Sequence, residues 1–115
     1  MTARYAPRRP MLAATTRELP AVDPARLEHS AQSFQPMLQD ASRVISRMTE
    51  RSFALPLMTA AQAGHQQEVD RMIKAAAGAS RIHAKYTPSG IVITVEPTNV
   101  NDSCCNLSMT LRWGN

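Results

Sequence analysis

Ser103-Cys104-Cys105-Asn106-Leu107-Ser108-Met109-Thr110-Leu111-Arg112-Trp113-Gly114-Asn115 alternates almost without a break. Cys105, Leu107, Met109, Leu111 and Trp113 fall on one side; Cys104, Asn106, Ser108, Thr110 and Arg112 fall on the other. A period of two over this length is what a half-buried β-strand requires, because successive side chains point to opposite faces. The stretch also holds both cysteines and the single tryptophan. Alternation assigns Cys105 to the core beside Leu107 and Trp113, and Cys104 to the outer face. A bond between such neighbours is not expected, since it would force an unusual geometry and break the strand.

The same period recurs upstream. Ile82, Ala84 and Tyr86 alternate with Arg81, His83 and Lys85; Ile91, Ile93 and Val95 alternate with Val92, Thr94 and Glu96. Pro88-Ser89-Gly90 supplies the turn between them, and residues 97–102 form a polar loop. Strands are therefore expected at about 81–87, 91–96 and 103–113.

Before Gly78 the period is helical. Asp23 is a good N-cap and Pro24 fits the first helical position, where its missing N–H costs nothing. Leu27, Ala31, Phe34, Leu38, Ala41, Ile45 and Met48 trace an apolar seam. Pro36 lies inside it and predicts a kink, or a helix that starts after Gln35. Ser52 can cap a second helix lined by Phe53, Leu57, Ala60 and Ala61, with Pro56 in its first turn and Gly64 closing it. A third presents Val69, Met72, Ile73 and Ala76 and ends at Gly78. The expected helices span about 24–50, 52–63 and 65–77. Residues 60–74 resemble half an ankyrin repeat, but one copy without a recurring period cannot build a solenoid. Helices followed by short strands imply an α+β fold: about three N-terminal helices packed on one face of a three-stranded antiparallel β-meander.

Composition narrows the function classes. The chain has 115 residues, 43% of them hydrophobic but only 4% aromatic, so aliphatic side chains and seven methionines must fill one modest core. Three units of the net charge of +4 come from the N-terminus, where Arg4, Arg8, Arg9 and Arg17 face a single acid, Glu18. Residues 1–22, with three prolines and no sustained period, read as a disordered basic arm, and 23–115 as one domain. No apolar run approaches a membrane span, and no signal h-region follows the arginines, which points to a cytoplasmic protein. Two cysteines are too few for a disulfide-stapled scaffold, so reduced thiols are the default. No phosphate-cradling glycine loop is present, and no cofactor is implied.

Three groups of residues could carry function. Arg81, His83 and Lys85 share one face of the first strand, with Arg112 on the outer face of the last; that face is a candidate contact surface or the solvent side of the sheet. Cys104 could contact another molecule through its thiol, while a catalytic thiol would need a base, for which His83 is the nearest candidate. Zinc fits poorly, since His29, His65 and His83 lack ligand spacing. The arginine arm could meet phosphates or an acidic partner. Glu28, Asp40, Glu50, Glu68 and Asp70 read as helix-surface charges. The uncovered edges of a small meander also invite pairing with another chain. The expected function is therefore that of a non-enzymatic structural protein acting by self-association or by docking into a larger assembly. A nucleic-acid-associated or regulatory module using the arm is the alternative, and a thiol or metal-binding protein through Cys104 and Cys105 the third.

Gln67-Glu68-Val69, the turn Tyr86-Thr87-Pro88-Ser89-Gly90, and Cys104-Cys105 followed by Leu107, Leu111, Arg112 and Trp113 together resemble a small protein family of spore-forming Firmicutes. Its pattern combines a Gln-Glu-Val helix, a Tyr-x-Pro-x-Gly turn and a terminal Cys-Cys-x-Leu-x-x-x-Leu-Arg-Trp strand. The likeness covers roughly residues 25–113 and carries no assigned activity. It implies a bacterial protein connected with spore formation.

Overall fold

A computed structural model describes residues 21–114. The arm residues Arg4, Arg8, Arg9 and Arg17 lie outside the described residues. Helix α1 spans Pro24–Met48, α2 Arg51–Gln62 and α3 Gln66–Ala77. Strands β1 (Arg81–Thr87), β2 (Gly90–Glu96) and β3 (Leu107–Arg112) follow, joined as an antiparallel sheet in the order β1-β2-β3. The expected α+β meander is what forms.

Asp23 caps α1 as its type predicts, its Oδ1 accepting the Ala25 N–H at 3.0 Å. The helix runs on through Pro36 and starts at Pro24, not after Gln35. The bond that Pro36 forfeits would have reached Gln32, and both residues are exposed, so water can serve the freed carbonyl. In α2 the N-cap is Glu50 rather than Ser52, and Pro56 lies in the second turn, one turn deeper than expected. Gly64 adopts φ +75°, the left-handed stop anticipated between α2 and α3.

The buried side of α1 only partly follows the seam read from the sequence: Ala41 is buried and Phe34 and Met48 pack against the core. Met37, Asp40, Ala41 and Val44 are buried, whereas Leu27 and Leu38 are 73% and 47% exposed. The helix is turned toward the flank that carries Asp40, and this carboxylate explains why. It is 5% exposed, not a surface charge. Its Oδ2 accepts the N–H of buried Ser80 at 2.9 Å, and its Oδ1 pairs with Arg43. Arg43 reaches on to the Ala77 carbonyl at 3.4 Å. A buried donor left unmet costs about 1–3 kcal/mol, so this contact fixes α1 against the junction between α3 and β1. Gly78 at that junction has φ +108°, and a Cβ there would stand 3.1 Å from Asp40 Oδ1. The positive φ favours glycine there, and an added Cβ would also press on the Asp40 carboxylate.

Helix α3 lies against β1 and α1 against β2, with α2 packed on both helices. The core runs from Phe53, Leu57, Val69 and Ile73 down to Ala84, Ile91, Ile93 and Val95. Full burial of each large aliphatic side chain contributes about 1.5–3 kcal/mol. On β3 the inward residues Leu107, Met109 and Leu111 are only half-buried.

The last strand begins later than its alternation predicts. β2 ends at Glu96 because Pro97 has no N–H to offer a ladder, and the last pair across to β3 is Val95 with Leu107. Residues 103–106 therefore have no strand to pair with. Their chain turns instead, with the Asp102 N–H donating to the Asn99 carbonyl at 3.0 Å and the Cys104 N–H to Asp102 Oδ1 at 3.1 Å. Cys104 and Cys105, expected on opposite faces as reduced thiols, are joined to each other as a vicinal disulfide.

Candidate functional site

The sheet's outer face carries four of the five contact candidates. β1 places Arg81, His83 and Lys85 there, and the register sets Lys85 beside Val92 and Thr110, with Arg112 opposite Gly90. One carboxylate oxygen, Glu96 Oε1, meets both Arg81 Nη1 at 3.1 Å and His83 Nε2 at 3.3 Å. Arg81 Nε also donates to the Pro97 carbonyl at 3.0 Å. Two of the cations are thus tied to an acid at one end of the face, and Lys85 and Arg112 stand toward the other. Thr94, Ser108, Thr110 and the 39% exposed Val92 fill the middle. A phosphate-tracking surface needs a run of free cations, which this arrangement does not supply.

Cys104 is not part of that face. Cys105 Sγ lies 3.7 Å from the Ser30 carbonyl and 3.8 Å from Met37 Sδ, both on α1, so the disulfide sits on the helical side of the sheet. Cys104 borders an open cleft of about 430 Å³ shared with Ala25, His29 and Asn101. Asp102 organises this end: besides capping Cys104, its Oδ2 meets His29 Nε2 at 3.2 Å and Ser33 Oγ at 3.4 Å. The imidazole near the cysteines is therefore His29, not His83. Nothing in the sequence announces it, because His29 and Asp102 are 73 positions apart and meet only through the folded loop. As a disulfide the pair has no thiolate to act as nucleophile or metal ligand. Among the described residues no three His, Cys, Asp or Glu side chains gather where a metal could sit.

A third concave surface lies where the sheet's last strand ends. Trp113 donates its N–H to the Ser89 carbonyl at 3.0 Å and its indole Nε1–H to the Thr87 carbonyl at 3.2 Å. With Met58, Ala61 and Tyr86 it borders an open, mainly apolar cleft of about 430 Å³. Elsewhere, on the exposed side of α3, the Arg71 guanidinium hydrogen-bonded to Glu68 holds that carboxyl below its ordinary range. Glu68 in turn raises Arg71. That pair is a helix-surface contact and belongs to none of the three surfaces.

Residues 24–106 match the model of the family described as YuzC spore coat inner layer protein. The match runs from the first residue of α1 through both cysteines and stops just before β3, so Leu107, Leu111, Arg112 and Trp113 of the terminal motif lie outside it. No curated protein and no solved structure matches the chain significantly.

Proposed function

From its membership in the YuzC spore coat inner layer protein family, to which this chain belongs, we propose that it is a non-enzymatic structural component of the spore coat. It works by associating with its own kind or with other coat components. The family match is the observation that carries this reading. The physical features agree with it. The three surfaces are open, and β3 exposes backbone and apolar side chains together. Lys85 and Arg112 are the cations of the outer face most available to an acidic partner, and Cys104 becomes a contact thiol only after reduction. No helix of the described residues is long and apolar enough to cross a membrane.

Localisation provides the test. An epitope-tagged copy expressed in a sporulating host should appear in spores, resist washing with salt and be released by coat extraction. Recovery of the tagged chain from vegetative cells alone, or from the spore core after the coat is stripped, would overturn the reading.

A further inference from the structure

Resting on that reading, we propose that the β3 edge pairs with the β3 edge of a second copy, joining two three-stranded sheets into one continuous antiparallel sheet across a two-fold axis at Thr110.

The argument begins with which backbone groups are free. Residues 87 and 90 flank a two-residue turn, so β2 directs the N–H and C=O groups of Gly90, Val92, Thr94 and Glu96 toward β1. Those of Ile91, Ile93 and Val95 then point to β3, where Leu111, Met109 and Leu107 answer them. The Trp113 N–H donating to Ser89 continues the same phase. It follows that the N–H and C=O groups of Ser108, Thr110 and Arg112 point away from the sheet. Among the described residues no strand meets them.

The two edges differ. At β1 the outward-directed groups belong to Ile82, Ala84 and Tyr86, and α3 lies against this strand. Gln66 Nε2 donates to the Ala84 carbonyl at 3.0 Å, occupying the middle of that edge with a side chain. An incoming strand would have to displace it. β3 has no such guard, no proline and no acid.

The edge is also complementary to itself. Two-fold pairing centred on Thr110 sets Met109 opposite the partner's Leu111 and Leu107 opposite the partner's Trp113 on the inner side. On the outer side Ser108 faces the partner's Arg112, and Thr110 faces its own copy. Apolar meets apolar, no like charges are opposed, and the outward N–H and C=O groups of Ser108, Thr110 and Arg112 all find partners. The pairing also covers inward side chains that α1 and α3 leave half-exposed. A second copy of this chain is the occupant whose charge and apolar pattern answer this edge.

Hydrogen exchange on the full-length chain, combined with sedimentation, tests the pairing. The amides of Leu107, Met109 and Leu111 should be protected at every concentration. Those of Ser108, Thr110 and Arg112 should become protected only as dimer forms. Thr110→Pro removes an N–H that the internal ladder does not use, and Thr110→Lys opposes two like charges at the axis. Each should weaken dimerisation by about 100-fold or more while leaving the unfolding midpoint of the dilute monomer unchanged. Lys74→Ala, on the exposed side of α3, should dimerise normally. A dimer that survives both Thr110 variants overturns the β3 pairing while leaving self-association intact. A monomer with all three outward amides protected assigns the edge to another segment of the same chain, and also overturns it. A monomer with those amides exchanging freely overturns it too; the coat reading then stands or falls on the localisation test, which does not depend on dimerisation.

Discussion

β1 and β3 flank the same central strand and carry the same alternation, yet one side of the sheet is finished and the other is not. Against β1 lies α3, Ala84 is buried, and a glutamine side chain closes the middle of the edge. Against β3 no helix makes comparable contact, and Leu107, Met109 and Leu111 stay half-exposed. The difference teaches that a period of two decides which way a side chain points. How deeply it is buried depends on what lies above the sheet.

The sharpest way to break this comparison is to truncate equivalent inward residues. Ile93, with no exposed surface at the centre of the sheet, should cost about 3–4 kcal/mol as Ile93→Ala in urea unfolding. Asp40→Ala should follow at about 2–3 kcal/mol, since it strands the buried Ser80 N–H; faster exchange of that amide is the confirming signal. Met109→Ala, half-buried on β3, should cost only about 1–2 kcal/mol in dilute solution. A cost equal to that of Ile93→Ala would erase the distinction between the two sides. If copies pair through β3, the Met109 penalty should grow with protein concentration while the Ile93 penalty stays the same.

Smaller effects sharpen the comparison at its margins. Gln66→Ala should lower stability by about 1 kcal/mol and uncover the β1 edge, detectable as new, salt-insensitive association in sedimentation. Least of all should come from Glu68→Gln, because the Glu68–Arg71 pair is exposed and faces solvent. The sign is fixed even so. A carboxyl held below its ordinary value in the folded state adds its stability above the unfolded pKa. That stability is lost as pH falls through the lowered folded value, so any difference between wild type and variant should vanish in strong acid.

Much of this architecture was legible from local chemistry. Asp23-Pro24 announces α1, Gly64 separates α2 from α3, and Gly78 marks the change from helical to alternating period. Pro88-Ser89 joins strands whose inward residues were all identified. Three features were not legible, for related reasons. The buried flank of α1 includes Asp40, which pattern reading places at the surface because its partner, the Ser80 N–H, is a backbone group 40 positions away. The alternation of residues 103–106 is real, but a strand needs a neighbour, and Pro97 ends the neighbour too soon. The His29–Asp102 contact beside the disulfide depends on a loop folding back on the first turns of α1, which spacing along one chain cannot reveal.

The Gln66 side chain has a chemical lifetime as well as a structural position. Its amide nitrogen is shared between Asp70 Oδ1 at 2.9 Å and the Ala84 carbonyl at 3.0 Å, so both of its protons are committed. Loss of ammonia from this one side chain would replace a double donor with a carboxylate facing another carboxylate and a carbonyl. The glutamine that guards β1 would then repel what it now holds. Hydrolysis of that single amide would leave the middle of the β1 edge as open as the middle of the β3 edge is among the described residues.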